Sequence, residues 1–265
     1  MLRRVRATHY VTPLREGGSL PGLVEADDDG IYVAKFRGAG QGTASLVAEV
    51  VVGELGRRLG VRVPELVVVD LDPRIAAREP DEEVQDLLAA SAGDNLGIDF
   101  LPGSVGYDGV GWRPSPEDAA AVLWLDAFTG NVDRSWRNPN LLVWHRLLWA
   151  IDHGAALVFQ HAWPDPHEWA ARSYDVGDHV LSGVARSLGA PGRAQVDERL
   201  TAQMTPQLLE EVLALVPDPW LEGTNAALAG ALPDADADRW RRRYVEMLLA
   251  RLALPSAPWR EVVVG

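Results

Sequence analysis

The sequence predicts an α+β fold with two lobes, a strand-rich first part over residues 1–106 and a mainly helical second part over residues 107–265. Two observations predict this division. Short runs of strand-type residues separated by turns dominate the first part, whereas apolar residues at helical spacing, punctuated by Gly and Pro, dominate the second. We therefore expect a cleft between the lobes, a place where small ligands commonly bind.

The predicted elements of the first part begin with a hairpin. The turn at 27–30 ends in Asp-Gly between two strand-type runs, which is a strong hairpin signal. Apolar residues at helical spacing after residue 45 predict a helix that ends at Gly60. Pro64 interrupts the next strand near its start. In order, the predictions are strands at 9–13, 23–26 and 31–36, a helix at 45–59, a strand at 61–70, a helical stretch at 74–92 and a strand at 96–100.

The second part opens with a strong helix prediction, because Pro116-Glu-Asp begins it and apolar residues fill 119–128. A polar loop at 131–140 follows, and two short apolar runs around His145 predict a hairpin. The predicted elements are a helix at 116–129, strands at 141–144 and 147–151, and helices at 167–173, 178–188, 194–202, 206–215, 219–231 and 235–252.

The composition excludes several classes of protein. A formal net charge of -13 argues against binding to duplex nucleic acid, which needs a basic surface. The absence of cysteine excludes disulfides, thiolate metal sites and cysteine nucleophiles. The apolar runs are far shorter than the roughly 20 residues of a membrane-spanning helix, and no signal-peptide core follows the basic N-terminus. We expect a soluble, cytoplasmic protein.

The lysine content points to a functional residue. Of the 25 Lys and Arg residues, Lys35 is the one lysine, and it lies at the end of a predicted strand. An ammonium is a compact charge that suits a phosphate, and an ion pair to a helix carboxylate would hold it in place. Glu49 and Glu54 on the next helix are the candidate partners. We favour Glu49, because its neighbours along the chain are apolar and it is expected to face inward.

A Gly-rich loop lies between the first two predicted strands. Gly17, Gly18 and Ser19 would allow backbone N–H groups to approach an anionic ligand closely. Most loops of this kind are simple turns. The loop therefore indicates a ligand site only in combination with the motifs that follow it.

Two further polar motifs follow in the second part. The loop at 130–140 contains Asp133, Asn138 and Asn140, and a carboxylate that positions a hydroxyl beside a carboxamide that binds a metal suits phosphoryl transfer. Asp and Asn are also common in ordinary turns. Asp152 lies in an Asp-His-Gly turn after the predicted hairpin, from which it could return to the same cleft and bind Mg²⁺.

In this order, the motifs resemble those of the HipA-like kinases and, more distantly, of the protein kinases and phosphatidylinositol kinases. Tyr32-Val-Ala-Lys35 resembles the nucleotide-binding lysine strand, and residues 48–66 are similar to the regulatory helix and the strand after it. Gly130-Asn-Val-Asp133 resembles the HipA-type catalytic loop, and Ile151-Asp-His-Gly154 the metal-binding motif. The resemblance covers residues 9–190 and implies a two-lobed, protein-kinase-like fold with a nucleotide-binding N-lobe.

The resemblance also implies ligands and roles. It implies ATP and Mg²⁺ as cofactors and a protein Ser or Thr hydroxyl as the acceptor of the γ-phosphate. Lys35 would bind the α- and β-phosphates, Glu49 would orient Lys35, Asp133 would be the catalytic base, and Asp152 the principal Mg²⁺ ligand. The segment that would face the adenine as a hinge consists of Ile98, Asp99, Phe100 and Leu101.

The second metal ligand has two candidates. In the family, the metal-binding Asn lies five residues after the catalytic Asp, which selects Asn138. Asn140 fits better at the start of the following strand, so both residues stay candidates. Asn131 is expected to shape the loop. The family pattern usually has His two residues after the Asp, where this chain has Ser135.

Other functions remain open at this point. Ser135 motivates a nucleotide-binding pseudokinase that acts as a scaffold. Ile151-Asp-His-Gly154 is also similar to the motif of lipid kinases and suggests a small-molecule or lipid kinase. The acceptor and any antitoxin-like partner are not defined by any motif in the sequence.

Two further sites are not expected. Ser19, His153 and Asp152 form no hydrolase triad on this sequence, because a nucleophile-elbow motif is missing. A zinc site at His161 and His167 is also disfavoured, since their spacing is wide.

Overall fold

The first sheet is a closed barrel of five strands. The computed structural model describes residues 1–14, 20–225, 236–254 and 256–265. The barrel strands are β1 (Arg3–Pro13), β2 (Gly22–Ala26), β3 (Ile31–Lys35), β4 (Leu66–Leu71) and β5 (Gly93–Asp99). Their order is β1-β2-β3-β5-β4, and β1 returns to β4 as a parallel pair that closes the barrel. The strand that ends in Lys35 therefore lies between β2 and β5.

The barrel interior is tightly filled beside β3. Ala34 of β3 pairs with Gly97 of β5. A Cβ atom added at Gly97 would lie 2.5 Å from Val69 Cγ2 and 2.7 Å from Val67 Cγ2. Position 97 therefore admits no side chain, because two valine side chains of β4 occupy the space beside it.

Two helices and a 3₁₀ segment accompany the barrel strands: α1 (Gly42–Leu59), the 3₁₀ segment Pro73–Arg78 and α2 (Glu82–Ala90). α1 ends at Gly60, which adopts a left-handed φ of 86°. Every residue of α1 from 46 to 56 is buried. Such a helix is part of the core rather than a surface helix with one apolar face.

The second part contains a small sheet and most of the helices. Its sheet has the order β6-β7-β8. The elements are β6 (Val105–Gly106), α3 (Pro116–Thr129), β7 (Leu141–Trp144), β8 (Leu147–Ala150), a 3₁₀ segment (Val158–His161), α4 (Pro166–Ala170), α5 (Ser182–Arg186), α6 (Gly189–Gln203), α7 (Pro206–Leu213), α8 (Asp218–Asn225), α9 (Ala237–Ala253) and α10 (Pro258–Val264).

Most predicted elements are confirmed, including the first hairpin, α1 with its Gly60 cap, α3 and the β7–β8 hairpin. The strand predicted from residue 61 is wrong at its start, because β4 begins after Pro64, at Leu66. The helical stretch at 74–92 is broken at 79–81 around Pro80, which lacks a backbone donor.

The second part differs from its predictions mainly in length. Helices predicted at 167–173 and 178–188 are shorter, and α10 and β6 were not predicted. The end of the helix predicted at 219–231 lies outside the described residues, as does the loop with Gly17, Gly18 and Ser19.

The mixed α+β composition is confirmed, and the boundary at residue 106 stays a prediction. Within the described ranges, none of the helices has both the length and the apolar character needed to cross a bilayer.

Candidate functional site

A cavity of about 1470 Å³ lies between the barrel and the loops that flank β7 and β8. It brings together side chains that are far apart in the sequence. The predicted site residues that line it are Lys35, Ile98, Asp99, Phe100, Leu101, Asp133, Asn138, Asn140 and Asp152. Glu49 lies behind them and reaches the cavity through its contact with Lys35.

The β7–β8 hairpin explains why two of these segments meet. Leu141 pairs with Ala150, and Ile151 N donates to Asn140 O at 3.1 Å. Asn140, directly before β7, and Asp152, shortly after β8, are thus held near each other. Both adopt a left-handed backbone, with φ of 50° and 55° respectively, which residues other than glycine rarely do.

Lys35 joins the two parts of the chain. Its Nζ atom forms an ion pair with Glu49 Oε1 and donates to Asp152 Oδ1 at 2.8 Å. The Lys35 side chain is 11% exposed, whereas that of Asp152 is 44% exposed. Burial alone would lower the pKa of Lys35, but the two carboxylates outweigh it and raise that pKa above its ordinary value. The amine therefore stays protonated beside the cavity.

Glu49 is the partner of Lys35, as the sequence indicated. Its Oε1 atom also accepts a hydrogen bond from Gly154 N at 2.9 Å, so one carboxylate connects α1 to both β3 and the loop after β8. Glu54 instead faces Arg57, at 3.4 Å between Glu54 Oε1 and Arg57 Nε.

The loop at 130–140 is folded around Asp133. Asn138 Nδ2 donates to Asp133 Oδ2 at 2.9 Å, and Asn140 Nδ2 donates to Asp133 O at 2.8 Å. Asn131 Oδ1 accepts from Asp133 N at 3.1 Å, so Asn131 shapes the loop as expected. Both candidate amides lie beside Asp133, and Asn140 also anchors its backbone.

The segment at 98–101 forms one wall of the cavity. Asp99 N donates to Glu65 O at 2.9 Å, and Phe100 N donates to Ile31 O at 3.0 Å. These bonds hold the end of β5 against its neighbours and direct the segment toward the cavity.

Sequence analysis missed a buried network beneath the loop. Asp126 on α3 forms an ion pair with Arg134, at 2.5 Å between Asp126 Oδ2 and Arg134 Nε, and both side chains are fully buried. His179 Nε2 lies 3.0 Å from the same carboxylate oxygen. One signal pointed to this network: Asp126 is a charged residue within the otherwise apolar run of α3.

Of the hydrolase triad that the sequence disfavours, Ser19 lies outside the described residues and His153 is buried. Burial, followed by the charge of Arg134, lowers the pKa of His153 to about 3, so it stays neutral, and its Nδ1 atom faces Arg134. Asp165, which lies between His161 and His167, caps α4 by accepting from His167 N at 2.8 Å. Among the described residues, no three His, Cys, Asp or Glu side chains form a metal-binding cluster.

Comparisons with known proteins agree with the resemblance. The family described as HipA-like kinase matches residues 8–239. No curated protein sequence matches the chain.

One solved kinase structure is similar in fold, and two structures of a second kinase match less well. A Helicobacter pylori proinflammatory kinase, CtkA, is 12% identical, with a TM-score of 0.53 over 97% of this chain and 96% of that chain. The Golgi casein kinase is 13% identical, with a TM-score of 0.45 over 95% of this chain and 71% of that one. A second structure of the Golgi casein kinase, with Mn/ADP bound, is 14% identical, with a TM-score of 0.38 over 97% and 74%.

The match to the family spans most of the chain, and it includes Lys35, Glu49, Asp133 and Asp152. The similarity to the CtkA structure is one of fold. The chain therefore belongs to the family of HipA-like kinases.

Proposed function

We propose that the chain is an ATP- and Mg²⁺-dependent phosphotransferase that transfers the γ-phosphate to a protein Ser or Thr hydroxyl. A single observation carries this proposal. A partly buried, protonated lysine is held by Glu49 and Asp152 at the wall of a cavity that Asp133 also lines. Phosphoryl transfer depends on such positioned charges more than on covalent chemistry by the protein.

The charges in the cavity suit a nucleotide. Lys35 supplies a positive charge for the α- and β-phosphates, and Glu49 keeps it in place from α1. The segment from Ile98 to Leu101 supplies a largely apolar wall against which the adenine would pack. We assign the barrel and α1 to a nucleotide-binding N-lobe over residues 1–106, with residues 107–265 as the C-lobe.

The side chains also fit a magnesium ion. Mg²⁺ prefers oxygen ligands and commonly binds one or two carboxylates together with substrate phosphates. Asp152 supplies an exposed carboxylate, and Asn138 or Asn140 a carboxamide oxygen. Burial alone would raise the pKa of Asp152, but Lys35 holds it below its ordinary value, so the carboxylate is ionised. When bound, the metal neutralises the charge of the transferred phosphoryl group.

Asp133 is the residue that would position the acceptor hydroxyl. Its carboxylate is half-buried, and Asn138 fixes it by donating to Oδ2. A carboxylate held in this way can accept the proton of the attacking hydroxyl. Membership of the HipA-like kinase family supports a protein acceptor.

The test is a transfer assay with labelled γ-phosphate, offered to the chain itself and to unstructured peptides that contain Ser and Thr. We expect activity in the wild type and its loss in Lys35→Ala and Asp133→Ala. Asp86→Asn is the matched control, because Asp86 is exposed on α2 away from the cavity lining. Full activity in either cavity variant would overturn the assignment.

A second candidate is a nucleotide-binding scaffold without transferase activity. It is favoured by Ser135, which replaces the usual His of the family and whose N–H instead donates to Asn138 O at 3.0 Å. Calorimetry separates the two functions. ATP binding without turnover or phosphate transfer supports the scaffold, and transfer to a lipid or small alcohol in place of a peptide would redefine the acceptor.

A further inference from the structure

The residue after Asp133 turns away from the cavity. Arg134 is 2% exposed, and its guanidinium extends beneath the loop to the fully buried Asp126. Asp126 in turn accepts from Asn131 Nδ2 at 3.0 Å. His179 Nδ1 accepts from Leu181 N at 3.2 Å, so its Nε2 atom carries the proton that is donated to Asp126. The carboxylate is therefore fully paired, and it orients the guanidinium.

The other donors of Arg134 contact both segments that carry proposed metal ligands. Nη1 donates to the carbonyl of Asn140 itself and, at 3.2 Å, to that of Ile151, the residue before Asp152. Nη2 faces His153 Nδ1 at 3.3 Å, on the other side of Asp152. One guanidinium thus connects the loop after α3, the start of β7 and the segment after β8.

These contacts lie where the backbone needs support. Asn140 and Asp152 are both left-handed, a conformation that persists in such residues only where the surroundings enforce it. We propose that Arg134, oriented by Asp126, is a positioning residue that fixes Asn140 and Asp152 for binding of the metal–nucleotide complex. This inference rests on the proposed function, since the metal assignment belongs to it.

This role requires the planar guanidinium group of arginine, with its several N–H donors. The guanidinium reaches a carboxylate and several carbonyls in fixed directions, whereas an ammonium or an amide at position 134 could satisfy only part of the set. Arg134→Lys keeps the positive charge beside Asp126 but removes the guanidinium. Arg134→Gln removes the charge as well.

The experiment measures the affinity for a non-hydrolysable ATP analogue by calorimetry, with and without Mg²⁺, on variants shown to be folded by circular dichroism. The quantity compared is the factor by which Mg²⁺ increases the affinity for the analogue. We expect this factor to be at least about tenfold smaller in Arg134→Gln and Arg134→Lys than in the wild type. The affinity without Mg²⁺ should stay within about twofold of the wild type. Where Arg134→Gln does not fold, Arg134→Lys decides.

Arg251→Gln is the matched control. Arg251 is also buried and also donates to three backbone carbonyls, those of Ala127, Trp169 and Arg172, but it does not line the cavity. It should keep the full Mg²⁺-dependent gain. An equal gain in the wild type, the control and both Arg134 variants would overturn the inference.

Failure of the proposed function looks different. A wild type that binds the analogue more tightly with Mg²⁺ but transfers no phosphate overturns the proposed activity and leaves the role of Arg134 supported by the affinity data. A wild type whose affinity does not respond to Mg²⁺ overturns the metal assignment and this inference together.

Discussion

Two clusters of charged side chains meet near the end of β8, and they differ in their access to solvent. In the first, Glu49 is buried and Lys35 is 11% exposed, but Asp152 is 44% exposed toward the cavity. In the second, Asp126 and Arg134 are both fully buried. The first cluster leaves the carboxylate of Asp152 exposed, whereas the second has its charges paired internally. Ion pairs of the same chemical type thus leave a charged group open to solvent in one place and connect buried backbone segments in the other.

The largest expected effect is on stability, at the buried pair of Asp126 and Arg134, which we call the dry cluster. Asp126→Asn leaves the buried guanidinium of Arg134 without its counter-charge, and we expect a loss of about 3–5 kcal/mol in the free energy of unfolding. Denaturant unfolding of the purified variant measures it. A loss below about 1 kcal/mol would show that the pair is not a support.

The same chemical change should affect activity instead of stability in the cluster of Lys35, Glu49 and Asp152, which we call the exposed cluster. Asp152→Asn removes a proposed metal ligand, and we expect phosphoryl transfer to fall by about 10²-fold or more. The unfolding free energy should change by about 1 kcal/mol or less, because Lys35 keeps its contact with Glu49. An Asp152→Asn variant with unchanged phosphoryl transfer and reduced stability would contradict this difference between the two clusters.

The dry cluster also predicts a dependence on pH. Burial alone would raise the pKa of Asp126, but the charge of Arg134 and the hydrogen bond from His179 hold it well below its ordinary value. The stability that Asp126 contributes is therefore present above the unfolded-state pKa and is lost as pH falls toward the folded-state pKa. Relative to Asp126→Asn, the wild-type advantage should shrink by about 1 kcal/mol from about pH 7 to about pH 3. An advantage that grows on acidification would contradict the assignment.

The smallest effect is expected at the second glutamate of α1. Glu54→Gln should change the unfolding free energy by about 0.5 kcal/mol or less, since Glu54 contacts a partly exposed arginine within its own helix. Nucleotide affinity should not change. Glu49→Gln is the comparison variant, and its affinity for an ATP analogue should fall about tenfold, the equivalent of one charged hydrogen bond. Equal effects of the two variants would remove the special role of Glu49.

Much of the exposed cluster could be predicted because it rests on local signals. A strand that ends in the one lysine, a helix whose residues next to Glu49 are apolar and a hairpin at 141–150 each have a pattern of their own. The hairpin then brings Asn140 to the segment that carries Asp152 by strand pairing alone. Lys35, Asp133 and Asp152 all line one cavity in the structure.

The dry cluster had no comparable signal. Arg134 is one of many arginines in this chain, and its contact with Asp126 depends on how the loop packs under itself. The errors in the fold have separate causes. Pro64 lacks a backbone N–H and β4 begins only after it, whereas α10 is a short helix whose place is decided by packing rather than by periodicity.

One oxygen atom of Glu49 couples the position of α1 to two other segments of the site. Glu49 Oε1 is bonded to Lys35 on one side and to the backbone of Gly154 on the other. Sliding α1 by a single residue, a rise of about 1.5 Å, would stretch both bonds together. A movement of α1 would therefore change the surroundings of Lys35 and of the loop that carries Gly154 at the same time.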